Sequence, residues 1–326
     1  MKIVQISIVL PLIALLVSLT FTTYAHAQEH TVPILPSTPG HAVPTSSAAV
    51  YFDFPLPELR HAVPSIKGIA YDPNPSPTQL PAILSGVARS IDRALLKLPD
   101  LVSREDVNYI QTSADPTNAG NPFNAGRWNR VFRYLILCHR AADHSVQIEE
   151  SRTDGKGHPV EVSASASGPR GLGFAYQWLL FSAANQPEFR FRYLGKQAKD
   201  GKQTFVLAFA QIPEKVLTPA HYQVDDKVLP FYFQGVIWVD QSTGEIVLLH
   251  TDLLASIPRL NLRRLATEVH FNSVPIRDLN ASFWLPREVD ITSDQSTGTA
   301  EEDHRYGDYH LFHSTAKIIP TQEAPQ

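Results

Sequence analysis

Apolar and polar residues alternate along much of the second half of the chain, with the spacing typical of β-strands. The clearest segment runs from Phe231 to His250, where two apolar, aromatic-rich runs flank the turn-forming residues Asp240 to Gly244. Gly244 suits the positive φ angle that a tight turn requires. This segment is predicted to be a β-hairpin in the middle of an antiparallel sheet.

Similar runs surround this hairpin, and short turn sequences such as Lys199-Asp200-Gly201 connect several of them. Consecutive strands with short links predict a mainly β domain, in which about ten strands form one strongly curved or partly closed antiparallel sheet. The other predicted strands are Leu101–Thr112, Trp128–His139, Ser145–Arg152, Val160–Ser165, Glu188–Lys196, Thr204–Ile212, Leu262–Val274, Trp284–Thr292 and Asp303–Ile319.

Two segments are predicted to be helices. From Pro81 to Leu98 apolar residues recur at helical spacing, with the charged residues set apart, and Pro99 ends the pattern. The octet Phe174 to Phe181 is apolar nearly all round, and Gln177 is its one plainly polar residue. We expect a short helix that is buried on both sides or lies across the open face of the sheet.

The first 27 residues have the pattern of a secretory signal peptide. A long apolar run follows Lys2, and Ala25-His26-Ala27 is a small-x-small cleavage site. The run is also long enough for a retained membrane anchor, but Pro11 and the cleavage pattern favour removal after Ala27. The mature chain is therefore expected in the periplasm or secreted, with no transmembrane segment.

Proline content sets the remaining boundaries. Residues 28–81 are proline-dense and are predicted to be a largely extended or disordered lead-in. Residues 82–320 are expected to form a single curved-sheet domain, and residues 321–326 a short tail. Within the lead-in, the patch Tyr51 to Phe54 could dock on the domain as an edge segment.

Charge and cysteine content limit the possible functions. The net charge of −4 and the isoelectric point near 6.3 indicate no basic stripe for nucleic acid. The single cysteine, Cys138, cannot form an intrachain disulfide, and its apolar surroundings favour an inert strand residue over a reactive thiol.

Catalytic and metal-binding motifs are weak in this sequence. It has no Gly-x-Ser-x-Gly elbow and no His-Glu-x-x-His, and His304 and His310 would lie too far apart on one strand to share an ion. We therefore predict no metal and no cofactor, and histidines that are solvated or lie on edge strands. Paired carboxylates for glycoside hydrolysis stay an alternative. The acidic candidates are Glu149, Glu161, Glu188, Glu268 and Glu288.

Large aromatic side chains are the more distinctive feature. They supply more apolar surface than a flat sheet can bury, so they either fill the core or line an apolar cavity between the sheet and the helices. The predicted ligand-binding residues are Phe174, Trp178, Phe181, Phe189, Phe191, Phe231, Phe233 and Trp238.

The order of these elements resembles that of the LolA- and LppX-like envelope proteins, which carry lipoproteins and lipids. The phrase Gly235-Val236-Ile237-Trp238-Val239-Asp240, continued by Thr243-Gly244-Glu245-Ile246, is similar to a hairpin of that superfamily. Val269 to Val274, Trp284-Leu285-Pro286 and Tyr306 to Phe312 are similar to its later strands. The resemblance covers about Glu188 to Ile319 and also extends to uncharacterised exported bacterial proteins.

This resemblance implies an unclosed half-barrel with helices in its mouth. It also implies a non-enzymatic envelope protein that binds a lipid, an acyl chain or a lipoprotein. One alternative is an interaction or scaffold module that the proline-rich leader tethers, and the secreted hydrolase with paired carboxylates is the third.

Overall fold

The computed structural model describes residues 51–113, 126–140, 146–160, 177–217, 219–224 and 227–312. The predicted signal peptide, the first part of the lead-in, the strand Val160–Ser165 beyond its first residue and the tail lie outside these ranges. The α-helices are α1 (Leu56–Ala62) and α2 (Gln79–Lys97). The strands are β1 (Ala70–Tyr71), β2 (Leu101–Ser113), β3 (Arg127–Arg140), β4 (Val146–Thr153), β5 (Phe189–Lys199), β6 (Lys202–Gln211), β7 (Ala220–Val224), β8 (Lys227–Phe231), β9 (Phe233–Asp240), β10 (Ile246–Leu253), β11 (Leu262–Ile276), β12 (Ala281–Gln295) and β13 (Gly298–Leu311).

Eleven of the described strands form one antiparallel sheet in the order β1-β5-β6-β9-β10-β11-β12-β13-β2-β3-β4. Strands β1 and β4 are the two ends of this order and do not pair with each other, so the sheet is unclosed. The predicted fold class, a mainly β half-barrel with few helices, is confirmed. Strands β9 and β10, which the sequence predicts as the central hairpin, are the fourth and fifth strands counted from the β1 edge.

The predicted turns form for the reasons that their residues suggest. Asp200 and Gly201 have φ angles of 48° and 76°, as a two-residue hairpin requires. Gly244 has φ of 76° in the β9–β10 turn. There the Asp240 carboxylate accepts a hydrogen bond from the backbone N–H of Ser242 at 2.7 Å. Each turn thus fixes the register of the strands that it joins.

Helix α2 covers the inner face of the sheet, which we define as the face that packs against this helix. Its apolar stripe includes Ile83, Val87, Ile91 and Leu95, all of which are buried in the main hydrophobic core. The predicted second helix is a 3-10 helix at Gln177–Phe181 beside α2, and Phe174 lies outside the described residues. Helix α2 and the short apolar 3-10 helix therefore cover the inner face of the sheet.

The opposite, outer face is covered by the segment Tyr51–Tyr71, which we call the strap. It contains two short 3-10 helices, α1 and β1, and β1 pairs with β5 at the sheet edge. Phe52, Leu59 and Val63 of the strap are buried in a second hydrophobic cluster that includes Trp238. This part of the chain differs from the extended lead-in that its prolines indicate, because its apolar residues find a partner face on the sheet.

The polar connection that begins at Pro213, which is not among the predicted strands, contains a separate two-stranded sheet of β7 and β8. Each strand has five residues, and Pro230 lies within the second one. Strands of five residues show little alternation of apolar and polar positions, and a proline within a segment argues against a strand. The sequence pattern therefore does not reveal this small sheet.

Our first prediction concerns the contact between α2 and the β9–β10 turn. A Cβ atom at Gly244 would lie 2.6 Å from the carbonyl oxygen of Gly86 in α2, so the substitution Gly244→Ala must push the helix away. We expect a loss of about 2–5 kcal/mol in the free energy of unfolding, from the positive φ angle and the overpacking together. Urea denaturation measures this loss.

Gly201 provides the matched control, because it has the same φ of 76° and a Cβ atom added there would meet no heavy atom within 4 Å. Gly201→Ala therefore carries the conformational cost alone, about 1–2 kcal/mol. Equal losses for the two variants would show that α2 does not rest on the turn.

Candidate functional site

The predicted aromatic residues divide between the two faces of the sheet. Phe181, Phe189 and Phe209 contact one another on the inner face, with ring centroids between 4.9 and 5.9 Å apart. Phe191 lies beside them, 5.9 Å from Phe189. Trp178 belongs to the same core. These residues form an aromatic cluster under the 3-10 helix.

Phe231 and Phe233 contact each other edge to face on the same side, with ring centroids 5.2 Å apart. Phe231 is buried and Phe233 is partly buried against the main core. The structure therefore brings together six of the eight predicted residues on the inner face. Phe174 lies outside the described residues, and Trp238 faces the other way.

Trp238 is fully buried under the strap on the outer face. Its indole N–H donates a hydrogen bond to Gln197 Oε1 at 2.7 Å, and Gln197 in turn donates to the carbonyl of Ser65 in the strap. Its neighbours Ile237 and Val239 point to the inner core. Trp238 therefore holds the strap, and it lies across the sheet from the other aromatic residues.

The described side chains on the inner face pack closely against α2. A cleft of about 20 Å³ lies between α2, the 3-10 helix and the sheet, which is room for about one water molecule. In this state the aromatic side chains pack a core. The residues that line the cleft are Ser90, Ile91, Ala94, Trp178, Glu245, Ile246 and Trp284.

Few polar bonds fasten α2 over this core. Arg93 donates to the carbonyl of Thr243 at 2.8 Å, and Arg140 of β3 donates to the carbonyls of Leu95 and Leu98 at 3.1 and 2.8 Å. Gln186, next to the 3-10 helix, donates to the carbonyl of Leu84. The helix is thus held mainly by its apolar stripe, an interaction without directional preference.

A buried ionic cluster occupies another part of the inner side, on β2, β4 and β13. Arg152 binds both oxygens of Glu105, at 2.5 and 2.9 Å. His304 lies between two carboxylates, with Nδ1 2.8 Å from Glu105 and Nε2 3.1 Å from Glu302. Tyr306 donates to Glu105 at 2.7 Å. All five side chains are buried, and these contacts join strands that are distant in sequence.

Each charged group in this cluster shifts the pKa values of its neighbours. Burial alone would raise the pKa of Glu105, but the Arg152 charge and the hydrogen bonds from His304 and Arg152 outweigh it and hold the pKa at about 2. Burial opposes protonation of His304, yet its hydrogen bonds to Glu105 and Glu302 raise its pKa above the usual value. Glu105 is therefore ionised, and charged partners on two other strands neutralise it.

Sequence reasoning missed this cluster. Glu105 is not among the acidic candidates, and the expectation that the histidines are solvated or on edge strands is wrong for His304, which is fully buried. The available signal was the alternation of β2, which places Glu105 on the same face as Leu101 and Tyr109. That alternation gives the face but not the partners, which are 47 and 199 residues away.

Among the acidic candidates that the structure describes, Glu268 and Glu288 lie on the neighbouring strands β11 and β12, and Glu149 and Glu188 lie elsewhere. On the outer side, Glu268 accepts a hydrogen bond from Ser65 of the strap at 2.5 Å and lies 3.2 Å from His250 Nδ1. Glu149 is exposed and lies 3.4 Å from His139. Glu188 is next to the backbone N–H of Leu217, and Glu161 lies outside the described residues.

One group of acids is close enough to consider as metal ligands. Carboxylate oxygens of Glu288, Asp290 and Asp303 lie within 4.8 Å of one another on neighbouring strands. Arg305 contacts Glu288 and lies 2.8 Å from Asp303. This guanidinium supplies one positive charge against the three carboxyl groups, and burial raises the pKa values of Asp290 and Asp303.

Cys138 is partly buried on β3. Burial and the nearby Asp100 carboxylate raise its pKa to about 12, so the sulfur stays a thiol at neutral pH. Nucleophilic chemistry at this residue is therefore disfavoured.

Comparison with known proteins returns structures but no sequence relatives. No protein-family model and no curated protein matches the chain. The chain is similar in structure to an outer membrane lipoprotein-sorting domain of Vibrio parahaemolyticus, with 15% identity, TM-score 0.35, and coverage of 69% of this chain and 90% of that one.

Two further structures are similar. One is a DUF1329 family protein of Desulfovibrio piger, with 10% identity, TM-score 0.37, and coverage of 72% of this chain and 94% of that one. The other is a LolA superfamily protein of Nitrosomonas europaea, with 12% identity, TM-score 0.31, and coverage of 71% and 94%. The names include the superfamily that the sequence phrases resemble. Because the TM-scores are below 0.5, the description of the fold rests on the strand order itself.

In the described part of the chain, no helix has both the length and the apolar character that crossing a bilayer requires.

Our second prediction concerns the ionic cluster. Glu105→Gln leaves Arg152 and His304 buried without their shared carboxylate, so we expect a loss of about 3–5 kcal/mol in the free energy of unfolding at neutral pH. Glu149→Gln is the control, since it removes an exposed glutamate that also faces a histidine, and it should cost less than about 1 kcal/mol.

The pH dependence follows from the two pKa shifts. The pKa of Glu105 is lower in the folded state, so its contribution is present above its ordinary value of 4.5 and is lost as the pH falls towards 2. The pKa of His304 is higher, so its contribution is present below 6.5 and is lost as the pH rises through the folded value. Stability profiles of wild type and Glu105→Gln that run parallel at both ends would contradict this assignment.

Proposed function

We propose that the protein is an exported, non-enzymatic envelope protein that binds the acyl chain of a lipid or lipoprotein on the inner face of its half-barrel. The observation that carries the proposal is the cover of this face. A single amphipathic helix, α2, lies over an apolar and aromatic surface and is held there mainly by apolar contacts. An acyl chain offers the same kind of apolar contact and could replace the helix.

The energies of the two covers are comparable. Burying a sixteen-carbon chain is worth about 0.8 kcal/mol per methylene, or roughly 12 kcal/mol. The stripe of α2 places five large apolar side chains against the core, namely Ile83, Val87, Ile91, Leu95 and the following Leu98. At about 1.5–3 kcal/mol each, they contribute roughly 7–15 kcal/mol. Ligand and helix can therefore exchange without a large net cost.

The entry point in this proposal is the small cleft beside Trp178 and Trp284. Within the part of the chain that the structure describes, the buried indole N–H of Trp178 has no hydrogen-bond partner, although buried indole groups usually have one. A carboxyl or ester oxygen of a ligand would supply that acceptor. The ionic cluster of Glu105, Arg152 and His304 lies on other strands and would stay in place.

The third prediction is binding of cis-parinaric acid, a fatty acid that fluoresces in apolar surroundings. We expect saturable uptake by the wild type and faster uptake by Gly244→Ala, because that variant loosens α2 from the turn. Gly201→Ala should behave like the wild type. The absence of saturable uptake in both the wild type and Gly244→Ala would reject the proposal.

A fourth prediction locates the ligand. Trp178 and Trp284 line the cleft, and Trp238 is on the opposite face of the sheet. A dibrominated stearate, which quenches indole fluorescence on contact, should quench the wild type strongly and Trp178→Phe/Trp284→Phe only weakly. Quenching that is lost in Trp238→Phe instead would place the ligand under the strap.

A second candidate function is the envelope interaction module with the proline-rich leader as its tether. It is favoured by the strap, which fixes the chain to the sheet from Tyr51 onwards. Deletion of residues 28–50 would leave the strap intact, so it should preserve the melting temperature and remove partner capture if the leader has this role.

A further inference from the structure

Strand β3 carries three exposed arginine side chains near its start: Arg127, Arg130 and Arg133. Among the described residues, no carboxylate lies within ion-pair distance of any of them. Arg152 and Arg190 on other strands, by contrast, are each paired with an acid. Three unpaired guanidinium groups on one strand are a local positive region in a chain whose net charge is −4.

Aromatic and apolar groups accompany these charges. The guanidinium of Arg130 lies 4.9 Å above the ring of Trp128, which stacks on Tyr109 with ring centroids 5.1 Å apart. Val131 lies between the arginines and is 49% exposed, which makes it one of the few exposed large apolar residues of the described chain. We call Arg127, Trp128, Arg130, Val131 and Arg133 the arginine patch.

The strand geometry spreads the patch over both sides of β3. Arg127, Val131 and Arg133 alternate with the inward-facing Phe132 and Tyr134, so they lie on the outer face. The side chains of Trp128 and Arg130 point to the inner face of the sheet. They lie near the start of β3, beyond the buried part of the core. The patch extends about 20 Å along the strand, which is wide enough to contact several lipid headgroups.

We infer that the arginine patch docks the protein on the surface of an anionic phospholipid bilayer. Arginine offers paired N–H donors to phosphate oxygens, and tryptophan prefers the boundary between headgroups and acyl chains. Val131 adds an exposed apolar side chain on the outer face of the same strand. Arginine and aromatic residues also bind single-stranded nucleic acid, but an exposed aliphatic residue in the middle of the patch suits a bilayer better.

This inference adds a partner to the proposed function, and it rests on residues that lie outside the inner core. A protein that exchanges acyl chains with a bilayer must reach it, and the patch supplies an attachment point. Vesicle binding and fatty-acid uptake are separate measurements, so either property can fail while the other holds.

The test is cosedimentation of the full mature chain with phosphatidylcholine vesicles that contain about a third phosphatidylglycerol. We expect binding that weakens as NaCl is added, and little binding to pure phosphatidylcholine. Each arginine near an anionic surface is worth about five-fold in affinity. R127Q/R130Q/R133Q should therefore bind roughly 100-fold more weakly, while its melting temperature stays near that of the wild type because all three side chains are exposed.

The matched control is R60Q/R89Q/R259Q, which removes three exposed arginines elsewhere and gives the same net charge. It should stay within about three-fold of the wild type. Equal weakening in both variants would mean that net charge, and not the patch, controls binding. No binding of the wild type to anionic vesicles, or binding to a single-stranded oligonucleotide that the patch variant loses while vesicle binding persists, would overturn the inference.

Discussion

An open sheet with two apolar faces needs a cover on each face, and the rest of this structure depends on that constraint. Strands β9 and β10 are buried along nearly their whole length, because Ile237 and Val239 face α2 while Val236 and Trp238 face the strap. Helix α2 lies outside the sheet, whereas the strap adds β1 to its edge. The fold therefore consists of a half-barrel and two covering segments, and side chains of the sheet donate hydrogen bonds to both of them.

The two covers differ in how firmly they are held. The strap contributes a strand to the sheet edge, and Arg192 donates to the carbonyls of Phe52 and Phe54 at 3.0 and 2.8 Å. Helix α2 has no strand pairing and rests on the turn at Gly244 through a close backbone contact. The inner cover is thus the less firmly held of the two, and in the proposed function it is the one that the ligand replaces.

The sequence allowed the strands, the turns and α2 to be predicted, because each depends on neighbouring residues. Gly244 and Asp200-Gly201 mark turns by their own chemistry, and the stripe of α2 is visible within one helix. For the strap, the sequence suggested docking of the patch Tyr51 to Phe54 only. The rest was missed, since its prolines indicate extended chain and its partner strands begin more than 100 residues later. The direction of Trp238 was hidden for a related reason. In a strand that is buried on both faces, the residues on both faces are apolar. The sequence pattern therefore does not show which face each side chain points to.

Six of the aromatic residues predicted as ligand-binding lie on the inner face, and their role stays a prediction. The ionic cluster was missed, because the pairing of Glu105 with His304 depends on strand order, which no local pattern contains. That cluster ties β2, β4 and β13 together.

Hydrogen–deuterium exchange with and without a bound fatty acid tests the central claim, that a ligand replaces α2 on the inner face. We expect faster exchange of the amides of Gln79–Lys97 when ligand is bound, with no change in β9 and β10. Unchanged or slower exchange in α2 at saturating ligand would contradict it, because the helix would then remain the cover of the core.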